Sequence, residues 1–231
     1  MLAATNSGTF TALINDSGNL SFDGTGAYRL YFAHFPGAFV VPSGDEGGSL
    51  TGVDALGTIQ LGDLDLWRFI ACKGDNITLT MDQLSTKNTF NPWLRLYGPD
   101  GVLIADSGIN NSTTNAQIAV TAPSSGSFTV LVGDSHNAFY GGTGTYRLSS
   151  NGLSDGLKLC TPRISDTNLF LSAVGGPTNG KAVIYSTTKV ATSFALWSPM
   201  PTNQFDQFGL LNVTNLYNPS VPRQFFRLVL P

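Results

Sequence analysis

An internal repeat constrains the fold of this chain more than any other feature of its sequence. Residues 7–30 read SGTFTALINDSGNLSFDGTGAYRL, and residues 125–148 read SGSFTVLVGDSHNAFYGGTGTYRL. The two segments align without a gap at an offset of 118 residues, and 14 of their 24 positions are identical. Similarity at a fixed offset predicts a repeated structural unit. One whole unit then occupies residues 41–150, while residues 1–40 hold the last strands of another unit and a linker.

The whole unit consists of short segments in which apolar and polar residues alternate. Residues 76–81 (NITLTM) place three apolar side chains on one face of a strand and polar side chains on the other. Glycine, proline, asparagine and aspartate separate such segments and indicate turns. The pattern predicts an all-β fold, an antiparallel jelly-roll-like β-sandwich. The residues expected to be buried in it are Trp67, Phe69, Ile77, Leu79, Leu94, Leu96, Phe128, Val130 and Tyr146.

The repeat pattern stops near residues 151–156. Residues 157–231 contain further strand-like segments, which predict a smaller C-terminal β domain. These segments are residues 169–171, 182–185, 194–197 and 225–230.

Composition excludes several classes of function. Charged residues make up 12% of the chain and the formal net charge is -3, so nothing in the composition suggests that the protein binds nucleic acid. No apolar run reaches the roughly 18 residues that a membrane-spanning helix needs. The first residues lack the pattern of a signal peptide, so a secreted form would be a mature product or part of a longer chain. Cys72 and Cys160 leave open both a disulfide and two buried thiols.

Residues 41–150 resemble the bacterial pre-peptidase C-terminal domain family. The resemblance is carried by residues 57–59 (GTI), 61–69 (LGDLDLWRF), 73–75 (KGD), 91–101 (NPWLRLYGPDG), 126–130 (GSFTV) and 142–148 (GTGTYRL). It implies a jelly-roll-like sandwich that accompanies secreted peptidases and other exported proteins, often in tandem, and is not itself catalytic. Some relatives bind calcium.

Residues 157–231 look like a C-terminal module of large exported bacterial proteins. The matching residues are 174–177 (VGGP), 185–188 (YSTT), 195–197 (ALW), 203–206 (NQFD) and 224–228 (QFFRL). Together the two resemblances imply an extracellular or cell-surface location.

Asp63 and Asp65 are the best candidates for metal ligands. Alternate residues of a strand share a face, so the two carboxylates could bind Ca²⁺ together with loop oxygens. Asp134 and its repeat equivalent Asp16 are candidates for further oxygen ligands. The alternative is that these carboxylates accept hydrogen bonds from turn amides.

Aromatic residues raise the question of a carbohydrate site. Trp67, Trp93, Tyr97 and Trp197 would suit stacking on sugars, but such residues are more often core anchors of a sandwich. The two histidines, His34 and His136, fit neither a zinc site nor a catalytic triad. We therefore expect a protein without catalytic residues.

The incomplete first unit predicts self-association. Phe10, Leu13, Tyr28 and Leu30 belong to strands that cannot bury an apolar face alone, so a neighbouring copy would cover them. The terminal strand with Phe225 and Phe226 is a plausible donor. The sequence thus predicts a non-catalytic structural or adhesive protein, a subunit of a surface fibre. The alternatives are a fragment of a longer array, an accessory domain of a secreted hydrolase and a carbohydrate- or matrix-binding module.

Overall fold

The computed structural model describes residues 8–14, 26–28, 30, 32–34, 39–52, 54–85, 90–108, 113–135, 142–153, 156–216 and 218–231. The chain divides into two compact units, Met1–Phe32 and Ala33–Pro231. Of the first unit, the described residues belong to no strand. The strands predicted there therefore stay a prediction.

Nine strands form the sandwich of the second unit. They are β1 (Gly47–Ser49), β2 (Ala55–Ile59), β3 (Leu64–Ala71), β4 (Asn76–Gln83), β5 (Pro92–Tyr97), β6 (Leu103–Asp106), β7 (Asn115–Thr121), β8 (Gly126–Asp134) and β9 (Gly144–Asn151). Sheet I has the order β1-β3-β8-β5-β6, and sheet II has the order β2-β9-β4-β7. The predicted all-β sandwich is confirmed, because the described residues contain no α-helix and the two sheets share one core.

The pairing of β1 corrects the expectation that every strand is antiparallel. β1 runs parallel to β3, with Gly47 opposite Leu66, whereas all other pairs in the two sheets are antiparallel. Gly47 has a φ of 145°, and a Cβ there would lie 2.6 Å from the carbonyl oxygen of Leu66. Only glycine permits this close approach, so the glycine pair at the start of β1 explains why the segment can join the sheet edge.

The sandwich core lies between the inner faces of the two sheets. All nine side chains that the alternating pattern predicts as buried are buried, including Leu79, Phe128 and Tyr146 at 0% exposure. The Phe69 and Phe128 rings stack with centroids 5.5 Å apart across the β3–β8 pair. A separate apolar cluster covers the outer face of sheet I, where Ala33 and Phe39 pack against Leu66 and its neighbours.

The C-terminal part of the second unit contains eight short strands around its own apolar core. They are β10 (Lys158–Leu159), β11 (Arg163–Ser165), β12 (Asn168–Val174), β13 (Lys181–Thr187), β14 (Ser198–Pro199), β15 (Asn203–Gln204), β16 (Leu211–Leu216) and β17 (Phe225–Val229). β12 pairs with β10, β11 and β16, while β13 pairs with β14, β15 and β17.

One predicted strand of this part is wrong. Residues 194–197 were expected to be extended, but Phe194–Leu196 form one turn of 3₁₀-helix. The Trp197 backbone N–H donates to the Phe194 carbonyl at 3.0 Å, and its indole Nε1 donates to the Thr192 carbonyl at 3.0 Å. Because these hydrogen bonds are made within the segment, its polar groups find partners without a neighbouring strand.

A disulfide joins the sandwich to the C-terminal part. Cys72, directly after β3, is bonded to Cys160, directly after β10, across 88 residues of sequence. Beside it, Lys158 Nζ lies 2.7 Å from Asp75 Oδ2. The cysteines pack with Val174, Ile70 and Leu210 into a small buried cluster. The question that the sequence left open is thus resolved as a disulfide.

Candidate acidic ion site

Three carboxylates meet at the edge of sheet I. Asp45 and Glu46 precede β1, and Asp65 lies on β3. One oxygen of each group lies within 4.8 Å of the others. A turn positions the first two residues, since the Asp45 backbone N–H donates to the Pro42 carbonyl at 3.2 Å and the Glu46 N–H donates to Asp45 Oδ1 at 3.0 Å. The parallel pairing of β1 with β3 therefore brings a loop acid pair to a strand carboxylate.

Asp65 is the buried member of this acidic cluster. Its side chain is 0% exposed, and the Tyr146 hydroxyl donates to Oδ2 at 2.6 Å. Trp67 Nε1 in turn donates to the Tyr146 hydroxyl at 3.0 Å. The second oxygen, Asp65 Oδ1, has no hydrogen-bond partner within the described part of the chain. A buried acceptor without a partner destabilises the folded state, so we expect this oxygen to bind a ligand or a proton.

The electrostatics of the cluster favour neutralisation. Burial raises the pKa of Asp65 to about 8, the hydrogen bond from Tyr146 opposes that rise, and the negative charges of Asp63, Asp45 and Glu46 add to it. Burial likewise raises the pKa of Glu46, although a hydrogen bond from the Thr58 backbone amide acts in the other direction. The cluster is therefore strained when all its carboxylates are ionised and no cation is bound.

The other two predicted metal ligands bond to backbone amides. Asp63 Oδ1 accepts from the Leu64 N–H at 3.0 Å and Oδ2 from the Gln60 N–H at 3.3 Å, which is the turn-stabilising alternative. Asp134 accepts from the Asn91 and Gly142 N–H groups at 2.9 and 2.7 Å. Neither belongs to the three-carboxylate group, so metal binding by Asp63 or Asp134 stays a prediction.

A hard divalent cation fits the donor set of the acidic cluster. Calcium binds carboxylate and carbonyl oxygens in flexible geometry, and here three carboxylates lie close together, one of which has an oxygen without a hydrogen-bond partner in the described part of the chain. The sequence pointed to Asp65 but missed Asp45 and Glu46. The sequence signal for these two ligands was a pair of consecutive acidic residues directly before a pair of glycines. A local pattern of this kind does not specify that β1 pairs in parallel with β3.

The predicted aromatic candidates for sugar binding form no exposed row. Trp67 and Tyr97 are buried. The Trp93 ring is covered by the Arg95 guanidinium, whose carbon lies 4.2 Å from the ring centroid, and its Nε1 donates to Asp106 at 2.9 Å. Trp197 is half-buried against Phe194. These rings serve packing in the described structure.

The candidate subunit contacts of the first unit are exposed. Phe10, Leu13, Tyr28 and Leu30 are 64%, 87%, 73% and 59% exposed. At the other end of the chain, Phe225 and Phe226 lie on β17 and are half-buried.

Cysteine and histidine, two residue types that often act as catalytic nucleophiles or bases, occur twice each in the sequence. Both cysteines are in the disulfide, so neither provides a thiol. His136 and Asp16 lie outside the described residues. The strongly perturbed carboxyl, Asp65, is buried and accepts a hydrogen bond from the Tyr146 hydroxyl.

The chain is similar to known proteins at the level of solved structures. No family model and no curated protein matches it. Similar solved structures include the pre-peptidase C-terminal domain of a Bacillus anthracis collagenase, which is 17% identical with a TM-score of 0.37, over 46% of this chain and 96% of that chain. Another is CorA of Methylomicrobium album BG8, a surface-associated copper-binding protein, at 10% identity and a TM-score of 0.35, over 46% and 98%.

A third similar structure is PliG of Aeromonas hydrophila, a periplasmic inhibitor of g-type lysozyme. It is 14% identical with a TM-score of 0.35, over 46% of this chain and 97% of that chain. All three TM-scores are below 0.5, so the fold description rests on the strand pairing of this chain itself. In the part that the structure describes, no helix is long and apolar enough to cross a membrane.

Proposed function

We propose that the chain is a non-catalytic extracellular protein with a structural or adhesive role. The observation that carries this proposal is the Cys72–Cys160 disulfide. Structural disulfides persist in oxidising compartments and are rare in the cytosol, so the bond supports export. Mass spectrometry of the protein after alkylation, without a reductant, tests this step. A cross-linked peptide pair containing both cysteines is expected, and two alkylated thiols would contradict it.

A calcium ion at the acidic cluster is the second part of the proposal. Asp45, Glu46 and Asp65 would hold the ion, with carbonyl and water oxygens completing its shell. A bound ion would supply charge neutralisation and tie the segment before β1 to β3. It would also lower the pKa of Asp65, because a positive charge favours the carboxylate.

Thermal unfolding with and without calcium tests the ion site. Calcium is expected to raise the Tm, since a ligand that binds only the folded state stabilises it by mass action. Asp65→Asn should abolish this increase. Asp54→Asn is the matched control, because Asp54 is an exposed carboxylate outside the cluster. An unchanged Tm in millimolar calcium would refute the site.

Self-assembly through the incomplete first unit is the third part. The offset of 118 residues aligns Phe10, Leu13, Tyr28 and Leu30 with side chains of the whole unit that are at most 3% exposed: Phe128, Leu131, Tyr146 and Leu148. The same residue types are thus core in one copy and exposed in the other. Apolar surface of this kind favours association with a partner, and a second copy of the chain is the partner that we propose.

The geometry of this assembly would be head-to-tail. Donor and acceptor surfaces differ, and such a contact builds a filament unless it closes into a ring. The C-terminal strand β17 already pairs with β13 through five residues, from Val183–Val229 to Thr187–Phe225. Phe225 and Phe226 could therefore take part through their side chains or the outer edge of β17, without β17 leaving its own sheet.

Light scattering on size-exclusion fractions tests the assembly with two matched variants. Leu13→Asp places a charge in the candidate contact and should shift the protein to the monomer. Leu61→Asp changes a leucine that is also exposed, at 64%, but lies in a turn of the sandwich. It should leave the assembly intact. Equal masses for wild type and both variants would contradict the proposal.

A further inference from the structure

A cleft lies between the sandwich and the C-terminal part of the second unit. Its volume is about 660 Å³, within the range of ~300–1,000 Å³ that ligand pockets usually have. One wall is the outer face of sheet I, with Arg68 of β3 and Ser127 and Thr129 of β8. The other wall is the turn of residues 206–210 together with Gly175 and Gly176.

The two walls are fixed relative to each other. The Cys72–Cys160 disulfide and the Lys158–Asp75 ion pair join the two parts beside the cleft. Gly175, with a φ of 77°, packs closely on the Ile70 side chain, where a Cβ would clash. A cleft held by covalent and close-packed contacts is preformed, which reduces the ordering cost of ligand binding.

The turn that forms the C-terminal wall is ordered by its own hydrogen bonds. Asp206 Oδ1 accepts from the backbone N–H groups of Phe208 and Leu210, each at 2.8 Å. The Gly209 N–H donates to the Asp206 carbonyl at 3.1 Å, and the Gly176 N–H donates to the Gly209 carbonyl at 3.1 Å. This turn holds the Phe208 ring at the cleft with 51% of its surface exposed.

The polar groups of the cleft include both donors and acceptors. Arg68 pairs with no carboxylate among the described residues, and its guanidinium carbon lies 6.0 Å from the Phe39 ring centroid, so its N–H donors are not engaged in an ion pair. Asp206 Oδ2 accepts no hydrogen bond from the described part of the chain. The hydroxyls of Ser127 and Thr129 can act in either sense. One cation and one carboxylate balance each other, so the cleft favours a neutral ligand over an anionic one.

We propose that this cleft binds a neutral saccharide. A sugar presents hydroxyls that both donate and accept, which match Arg68, Asp206 and the β8 hydroxyls, and it presents an apolar C–H face, which matches the exposed Phe208 ring. The lining also includes residues 49–51 at the end of the edge strand β1, so a peptide is the competing ligand that the test below includes. This site goes beyond the proposed function and does not depend on assembly or calcium.

Titration followed by ¹H–¹⁵N NMR tests the site on the full chain. The probes are neutral hexasaccharides of β-1,4-glucose and of β-1,4-N-acetylglucosamine, with hexagalacturonate as an anionic probe and a gelatin hexapeptide as a peptide probe. At least one neutral sugar is expected to shift the amide signals of Ser127, Thr129 and residues 206–210. Phe208→Ala should weaken that binding at least about tenfold.

Two further variants separate recognition from a general loss of structure. Arg68→Gln removes the charge but keeps a donor, so it should weaken the binding by about tenfold. Phe170→Ala is the matched control, because this phenylalanine is 39% exposed in the same C-terminal part but does not line the cleft. It should bind as the wild type does. A Tm within a few degrees of the wild-type value shows that each variant is folded.

Three results would overturn the proposal. The first is that neither neutral sugar shifts the cleft signals at millimolar concentration. The second is that a neutral sugar binds equally well to Phe208→Ala, Arg68→Gln and the control. The third is that neither neutral sugar binds, whereas the gelatin hexapeptide or hexagalacturonate binds to the wild type and binds more weakly to Phe208→Ala. That result would assign the cleft to a peptide or an anion.

Discussion

The buried carboxyl of Asp65 gives the most specific test of the electrostatics. Its pKa is raised from 3.8 to about 8 in the folded protein, chiefly by burial. Between these values the folded state therefore binds more protons than the unfolded state. The stability that this group contributes is complete below pH ~4 and is lost as the pH rises through ~8.

The size of this effect follows from the pKa values. Each pKa unit corresponds to about 1.4 kcal/mol, so the free energy of unfolding should fall by up to about 5 kcal/mol between pH 4 and pH 8. Asp65→Asn is nearly isosteric and can still accept the Tyr146 hydrogen bond through its carbonyl oxygen. The variant should match the wild type near pH 4 and exceed it at pH 8.

Urea unfolding at several pH values, in the presence of a calcium chelator, measures the difference between the two proteins. The chelator matters because calcium would hold the carboxylate ionised and mask the effect. Asp54→Asn should keep the wild-type pH dependence, since Asp54 is exposed. If Asp65→Asn shows the same slope with pH as the wild type, the raised pKa and the burial argument behind it are wrong.

The remaining predictions concern the core, the hydrogen-bond network and the covalent link. Phe128→Ala should lower the free energy of unfolding by about 3–5 kcal/mol because it empties a core site, whereas the repeat-equivalent Phe10→Ala should change it by less than about 0.5 kcal/mol; urea unfolding of dilute monomer measures both. Tyr146→Phe should cost about 2–4 kcal/mol, because it leaves a buried indole N–H and a carboxyl without their partner, and an unchanged midpoint would contradict the network. Replacing Cys72 and Cys160 together with serine should lower stability by about 2–5 kcal/mol, as seen in a lower urea midpoint than the oxidised wild type gives.

The sequence predicted most of the sandwich because its signal is local. Period-2 alternation in residues such as 76–81 reports directly which side chains face the core, and the structure buries Ile77, Leu79 and Met81 as expected. Residues 194–197 (FALW) are a short run of apolar side chains, but a single turn with its own hydrogen bonds replaces the strand. A short apolar pattern cannot distinguish these two outcomes.

Neither the acidic cluster nor the disulfide could be predicted from a local sequence pattern. Asp45 and Glu46 reach Asp65 only because β1 pairs in parallel with β3, and the pairing depends on the backbone of Gly47 rather than on a side chain. Cys72 and Cys160 meet across 88 residues through the packing of two separate cores. Such contacts between distant segments follow from the whole fold.

The central claim is that the protein has a structural role and assembles through its incomplete first unit. Electron microscopy of the purified full chain tests this claim most directly. The matched comparison is a chain without residues 1–32, a boundary that keeps Ala33 and Phe39 on the outer face of sheet I. We expect filaments from the full chain and single particles from the shortened one. Single particles from both, or filaments from both, would contradict it.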